Sequence, residues 1–260
     1  MSDAPFEAWI AHWLHDEPEM RLARVFAGTF RRRDALFGIE RELAESAYGV
    51  RDNGVAQARL GWWMEECTQL AARAARHPLT RELQGQPGDD HVATASALGR
   101  AFTAAFALVE AESIGTVDEL VALDHEAFAP FVRLRARATA DDGAVRAATS
   151  ARLLLELRDW QRFAQPARAR VPLQALARAG VDREGAVDGA AAIAAQEALV
   201  GALAPALAAD VASLDALDGA RTVVAPRLVR AKRDHVLGER SGNRFGLLLA
   251  LWAQARRHRH

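Results

Sequence analysis

Between Asp34 and Ala75, apolar side chains recur at the spacing of an α-helix on both sides of a short polar break, Asp52-Asn53-Gly54. The stripe before the break consists of Leu36, Ile39, Leu43 and Ala47, and the stripe after it of Leu60, Trp63, Cys67 and Leu70. Glu42 and Glu45 fall outside the first stripe. Two long amphipathic helices joined by so short a turn are predicted to pack antiparallel against each other.

Trp62 and Trp63 are neighbours in the second of these helices. Because an α-helix turns by about 100° per residue, the two side chains point in different directions. Both can reach apolar partners only where the helix is covered on more than one side. The pair therefore predicts that this helix lies at the centre of a helical domain.

The rest of the chain also has helical periodicity, with no convincing alternation typical of a strand. A capping box at Thr116-Val117-Asp118-Glu119 predicts the start of one helix. The helix that opens at Asp141-Asp142-Gly143 is predicted to continue to about Phe163. Further helices are predicted at Phe6–His15, Glu19–Thr29, Val92–Ala111, Val187–Leu207, Thr222–Leu237 and Phe245–Arg257. The predicted fold class is all-α, with residues 1–260 forming one helical bundle.

Charge and composition argue against several classes of protein. The net charge of −1 disfavours a general nucleic-acid binder, whose footprint is usually basic. The one cysteine, Cys67, excludes an intramolecular disulfide and fits a reducing compartment.

We expect no secretory signal and no membrane span, since no uncharged apolar run reaches about 20 residues; the run near Ala190–Ala209 comes nearest. The expected location is cytoplasmic. Basic clusters around Arg230 and Arg257 leave open a peripheral contact with the inner face of the membrane.

Four stretches follow one another in an order typical of one enzyme family. They are Ala35-Leu36-Phe37-Gly38-Ile39 with Arg41 and Leu43; Arg59-Leu60-Gly61-Trp62-Trp63 with His77-Pro78-Leu79; Leu157-Arg158-Asp159 with Arg168, Val171-Pro172-Leu173 and Gly180; and Leu247 to Arg256 with Trp252. In order and spacing they resemble the squalene and phytoene synthase family over most of the chain. The resemblance implies an all-α isoprenoid (terpenoid) synthase fold.

Active members of that family join two prenyl diphosphates head to head. The resemblance implies two aspartate-rich patches that face each other across a cavity and hold Mg²⁺, which also binds diphosphate oxygens. Metal and arginine charges would stabilise the leaving diphosphate, and an apolar tunnel would take the prenyl tails. By position in the motifs, the candidate diphosphate- or anion-binding residues are Arg41, Arg158 and Arg168, and the candidate cavity-lining residues are Phe37, Trp62, Trp63 and Phe163.

The sequence departs from the family pattern at both acidic patches. In the first patch, Ala44, Glu45 and Tyr48 stand where the family has three aspartates. In the second, Asp159 is present, but its partner four residues later is Phe163. Glu45 and Asp159 are thus the residual metal-motif positions, too few for two opposed metal clusters. We therefore assign no catalytic residue and no metal ligand. We expect no cofactor, with Mg²⁺ required only if the protein is an active enzyme.

Each candidate also has a purely structural interpretation. The aromatic residues fit core packing, which large rings often dominate. Arg41 and Arg168 fit a solvated helix face, and Arg158-Asp159 fits an ordinary surface pair, which contributes little to stability.

Three hypotheses for function follow. The first is a non-catalytic squalene/phytoene synthase-like protein that serves in binding or assembly. Some relatives in the family lack both acidic patches and are linked to assembly of the respiratory NADH dehydrogenase complex. The Arg59–Trp63 segment resembles these relatives too. The second is an active Mg²⁺-dependent prenyltransferase that uses Glu45 and Asp159, with Glu40 or Glu156 nearby. The third is a helical protein-interaction module without an isoprenoid ligand. The partners expected are accordingly a prenyl diphosphate or other isoprenoid, or another protein, and no nucleic acid.

Overall fold

The computed structural model describes residues 4–17, 20–21, 31–86, 88, 90–136, 142–157, 159–165 and 170–210. Within these residues the secondary structure is helical, without strands, and the predicted all-α class is confirmed. The elements are α1 (Ala4–Asp16), α2 (Arg31–Ala44), a π-helical turn (Glu45–Gly49), α3 (Asn53–Ala71), α4 (Pro78–Gln84), α5 (His91–Glu110), α6 (Val117–Ala136), α7 (Asp142–Glu156), α8 (Trp160–Phe163), α9 (Leu173–Ala179) and α10 (Gly189–Asp210). That residues 1–260 form a single domain stays a prediction.

Helix α2 lies at the centre of the fold, and every residue from Asp34 to Ala44 is buried. Helices α1, α4 and α6 pack around it. Helix α3 packs mainly against α5, and it meets the first predicted helix chiefly at the π-helical turn, so the pairing along the length of the two helices that the sequence predicts is wrong. Since other helices already cover α2, the apolar stripe of α3 is buried against α5 instead. Glu42, expected off the apolar stripe, is also buried, and it pairs with Arg59 of α3 at 2.9 Å.

The two adjacent tryptophans of α3 have different environments. The Trp63 ring is buried and stacks on Phe102 of α5, with ring centroids 5.5 Å apart. Trp62 is 41% exposed, and its ring lies edge-on to the rings of Trp63 and His77. The prediction that both rings are covered is therefore wrong for Trp62. Helix α3 is covered on the side that faces α5 but not where Trp62 points.

Several local signals of the sequence are seen in the structure. Helix α6 begins as the capping box predicts: Thr116 Oγ1 accepts a hydrogen bond from Glu119 N at 3.1 Å. The Glu119 carboxylate in turn accepts one from Gly115 N at 2.7 Å. The helix predicted to continue to Phe163 ends instead at Glu156 and restarts at Trp160, so that boundary is wrong. The predicted helices Thr222–Leu237 and Phe245–Arg257, most of Glu19–Thr29, and the basic clusters lie outside the described residues.

One helix of the described part, α5, is long and apolar enough to cross a membrane by length and composition. The sequence pattern had pointed instead to the run near Ala190–Ala209 as the nearest to a span. Half of its most apolar window is buried inside the fold, where α5 packs against α3 and α6. A helix in the core of a folded domain can have the same length and apolar composition as a membrane span, so these two properties alone are weak evidence for a span.

Candidate functional site

The two regions that the resemblance assigns to the acidic patches meet where the π-helical turn contacts α8. They are called the patch regions below. The turn is closed by a hydrogen bond from Val50 N to Glu45 O at 2.9 Å. Gly49 allows a close approach here, because a Cβ atom at this position would meet the Glu45 carboxylate and the side chain of Glu45 would have to move. The Glu45 carboxylate therefore lies back over its own turn. A π-helical turn within a helix frequently marks a functional position.

The Glu45 carboxylate is paired with Arg162 of α8. Arg162 Nη2 lies 2.8 Å from Glu45 Oε2 and 3.4 Å from Glu156 Oε1 at the end of α7. The Arg162 and Glu45 side chains are 21% and 26% exposed, so this contact lies at the edge of the cluster. One guanidinium group thus contacts acids from both patch regions.

Deeper in the fold, the other oxygen of Glu156 is held by two more arginines. Glu156 Oε2 lies 3.3 Å from Arg41 Nη1 and 3.6 Å from Arg152 Nη1. Arg41 also pairs with Glu17, with Nε and Oε1 3.3 Å apart. All four side chains are less than 10% exposed. Buried charges of this kind persist only when they are paired.

Tyr48 and Phe163, which stand where the resemblance implies acidic residues, stack on each other with ring centroids 5.6 Å apart. The Tyr48 hydroxyl donates a hydrogen bond to Asp124 Oδ1 at 2.5 Å, and Arg152 Nη2 pairs with the same oxygen. Burial raises the pKa of Asp124 to about 6, against the opposing effect of Arg152. The guanidinium of Arg170, which is 1% exposed, lies 4.9 Å above the Tyr48 ring. Aromatic rings and arginines thus occupy the space between the two patch regions.

Asp159, which the resemblance implies to be the remaining aspartate of the second patch, is exposed and caps a helix. Its carboxylate accepts a hydrogen bond from Arg162 N at 3.2 Å, which begins α8. The buried acid of this region is instead Glu156.

Replacement of Asp159 by alanine is expected to lower the free energy of unfolding by about 1 kcal/mol, since it removes an N-cap. The measurement is urea unfolding followed by circular dichroism. Asp159→Asn, which keeps a capping oxygen, is the control and should stay within about 0.5 kcal/mol of wild type. Equal losses in the two variants would show that charge, not capping, is the role of Asp159.

The arrangement does not fit a magnesium cluster. Among the described residues, no group of three or more His, Cys, Asp or Glu side chains is placed to hold a metal ion. Mg²⁺ requires oxygen ligands in near-ideal octahedral geometry. Here each of the carboxylates of Glu45, Glu156 and Asp124 has at least one oxygen in contact with an arginine.

The candidate site residues that the sequence pointed to differ in burial and in the groups they contact. Arg41 is in buried ion pairs, while Arg158 and Arg168 lie outside the described residues. Phe37, Trp63 and Phe163 are buried and Trp62 is at the surface. Their roles in binding a ligand stay predictions. Asp124, Arg152 and Arg170 are not among the residues that the sequence pattern pointed to, and Glu156 is there only as a neighbour of the candidate metal ligands. The spacing of Arg152 and Glu156, i and i+4 on α7, is the signal that could have drawn attention to this pair.

The His77-Pro78 pair has a structural role. The fully buried carboxylate of Glu66 in α3 accepts hydrogen bonds at Oε1 from Arg76 N at 2.8 Å, His77 N at 2.9 Å and Thr80 Oγ1 at 2.5 Å. His77 Nδ1 accepts from Leu79 N at 3.2 Å, and burial lowers the pKa of His77 to about 4. The motif therefore joins the start of α4 to α3. Sequence reasoning did not identify Glu66.

The helical architecture is that of the squalene synthase fold. The structure is similar to the crystal structure of squalene synthase HpnC from Alicyclobacillus acidocaldarius, with a TM-score of 0.57. The match covers 99% of this chain and 95% of that chain at 16% sequence identity. No family model matches the sequence, and neither does any curated protein. At this identity the likeness shows the fold alone.

Proposed function

We propose that the protein is a non-catalytic squalene/phytoene synthase-like protein that keeps the isoprenoid synthase fold for binding or assembly. The observation that carries the proposal is that arginines hold the acids between the two patch regions. Arg162 contacts Glu45 and Glu156, and Arg41 and Arg152 contact the second oxygen of Glu156.

A metal-dependent condensation needs carboxylate oxygens that are free to hold Mg²⁺ beside the diphosphate. In this protein a metal ion would have to displace a guanidinium group from its carboxylate. Displacing Arg41 or Arg152 from Glu156 would disrupt a buried network of ion pairs, which is destabilising. Phe163 has no ligand atom in its side chain, and the Tyr48 hydroxyl donates a hydrogen bond to Asp124 Oδ1. The leaving diphosphate would therefore lack the metal charge that stabilises it in active members.

The test is release of pyrophosphate from farnesyl or geranylgeranyl diphosphate in the presence of Mg²⁺. We expect no release above a reaction without protein, while an active squalene synthase in the same buffer serves as the positive control. Circular dichroism before and after the incubation shows that the protein stays folded. Sustained release that requires Mg²⁺ and is lost in Asp159→Ala would overturn the proposal in favour of an active prenyltransferase.

Thermal denaturation with the same prenyl diphosphates, with and without Mg²⁺, separates binding from assembly. A ligand that binds only the folded state raises the melting temperature. A rise that is equal with and without Mg²⁺ supports binding of an isoprenoid. No rise supports assembly with a protein partner, as in a helical interaction module. A cytoplasmic location and peripheral membrane contact remain part of the proposal.

A further inference from the structure

We propose that the exposed face of α3 binds a second copy of this chain, with the two α3 helices antiparallel about a two-fold axis near Ala58. The sequence pattern predicts that both tryptophans of α3 are covered, but within one copy only Trp63 is buried. Trp62 is 41% exposed and Val55 is 52% exposed. A second molecule completes the cover of this face. The inference goes beyond the proposed function and does not depend on it.

The residues of this face follow a seven-residue spacing. Val55 and Trp62 are seven positions apart, close to two helical turns, so their side chains lie on one stripe of α3. Gly54 and Gly61 have the same spacing on a neighbouring stripe, and Ala58 lies near the middle of both pairs. All five residues are exposed. The face therefore has an apolar stripe beside a stripe that lacks side chains.

This pattern is complementary to itself. In an interface with two-fold symmetry, every contact between two different residues occurs twice. An axis near Ala58 places Val55 of one copy against Trp62 of the other, and Gly54 of one copy against Gly61 of the other. The apolar side chains then cover each other, and the glycines let the two backbones approach closely.

Gly61 has no evident use within a single copy of the chain. Glycine is unfavourable inside a helix, where alanine is the best residue. Among the described residues, no atom comes within 4 Å of a Cβ atom built at position 61, so packing inside the molecule does not require a glycine. The approach of a second backbone provides a reason for it.

The charges at the two ends of the face also match. Arg51 precedes the N-terminus of α3 and is exposed, and the Glu65 side chain in the C-terminal half of α3 is 58% exposed. Glu65 pairs with Arg76 of its own chain, but so exposed a pair contributes little. In the antiparallel arrangement, Glu65 of one copy faces Arg51 and the positive end of the helix dipole of the other. A parallel arrangement would place Glu65 against Glu65.

The test is sedimentation equilibrium of the full chain over a wide range of protein concentrations. We expect the mass to rise from 28.2 kDa towards twice that value. Stable dimers commonly bury about 800 Å² on each partner, which is more than a single helix face with two large side chains offers. The association should therefore be weak, and the dimer should form only towards the upper end of the range.

Two variants separate association from folding. Trp62→Glu should weaken dimerisation by about tenfold or more, because it places a charge against an apolar side chain. Gly61→Gln should also weaken it, since it fills the space for the second backbone, yet its melting temperature should not fall, because glutamine is a better helix former than glycine. Ile193→Glu is the control: Ile193 of α10 is 58% exposed, and its replacement should leave dimerisation unchanged.

Exchange of the end charges tests the two-fold arrangement. Arg51→Glu and Glu65→Arg should each weaken dimerisation by about two- to fivefold, the usual effect of an exposed ion pair. The variant with both substitutions should recover the affinity, because opposite charges then face each other again.

The inference is overturned if wild type has the mass of a monomer at every concentration. Flotation of that monomer with vesicles of anionic phospholipid, lost in Trp62→Glu, would assign the face to a membrane instead. A dimer that neither Trp62→Glu nor Gly61→Gln weakens would also overturn it, as would a double charge exchange that recovers nothing. Pyrophosphate release would overturn the proposed function alone, because the mass is measured without any prenyl substrate.

Discussion

Replacement of Arg152 by alanine is expected to lower the free energy of unfolding by about 3–5 kcal/mol, the usual cost of breaking a buried ion pair from one side. Arg152 is 3% exposed and pairs with Asp124, which is 1% exposed. It also lies 3.4 Å above the Phe128 ring. Its removal leaves the Asp124 charge without a cation and opens space beside an aromatic side chain. In a chain of this length the melting temperature should fall by about 6–20 °C.

The effect of Arg152→Ala should depend on pH. The pKa of Asp124 is already raised to about 6 in the folded protein, and loss of Arg152 removes an effect that lowers it. The folded state of the variant then binds a proton more tightly than the unfolded state, so stability falls as pH rises through the folded pKa. We therefore expect the difference from wild type to be larger at pH 8 than at pH 5.

The matched control for Arg152 is Arg146→Ala, an exposed arginine on the same helix. It should change stability by less than about 0.5 kcal/mol. The double variant Arg152→Met with Asp124→Leu removes both charges and should recover part of the loss, since an apolar pair has no charge to desolvate. A loss in Arg152→Ala no larger than in Arg146→Ala would contradict the buried pair.

Glu66→Ala is expected to lower the free energy of unfolding by about 2–4 kcal/mol, because partly buried donors would lose their acceptor. Glu66 Oε1 is the acceptor for the backbone N–H groups of Arg76 and His77 and for the Thr80 hydroxyl. Loss of these bonds should release the start of α4 from α3. Urea unfolding followed by circular dichroism measures the change.

Two controls separate acceptor from charge at this position. Glu66→Gln keeps an oxygen at Oε1 and should lose less than half as much stability as Glu66→Ala. Glu65→Ala removes the neighbouring carboxylate, which is 58% exposed and lies 2.7 Å from Arg76 Nη2, and should cost no more than about 1 kcal/mol. Equal losses in Glu65→Ala and Glu66→Ala would rule out the proposed anchoring of α4.

The pH dependence of the Glu66 effect follows from its pKa. Burial raises this pKa, but hydrogen bonds from Thr80, His77 and Arg76 outweigh burial and hold the pKa below its ordinary value. A group with a lowered folded pKa contributes stability above its unfolded pKa and loses it as pH falls through the folded pKa. Wild type and Glu66→Gln should therefore differ most near neutral pH and converge in acid.

The all-α class and several helix boundaries follow from local patterns in the sequence. The capping box at Thr116 is an example, since the atoms that form it are at most four residues apart. Each helix carries its own periodicity and end signals, and these can be identified without knowing what the helix packs against. Residue identity alone also shows that positions 44, 48 and 163 carry no acid; that acids are expected there rests on the resemblance.

The cluster between the patch regions could not be predicted in this way. Arg41 and Glu156 are 115 positions apart, and Tyr48 and Asp124 are 76 apart, so no local spacing links them. Packing between distant parts of the chain also decides that Asp159 caps a short helix instead of facing Glu45, and that Trp62 lies at the surface. Local spacing could not predict either outcome. Periodicity identifies which side of a helix is apolar, but the partner of a buried charge depends on which helices pack around it. Here the central position of α2, covered by α1, α4 and α6, brings its acids and Arg41 into the core.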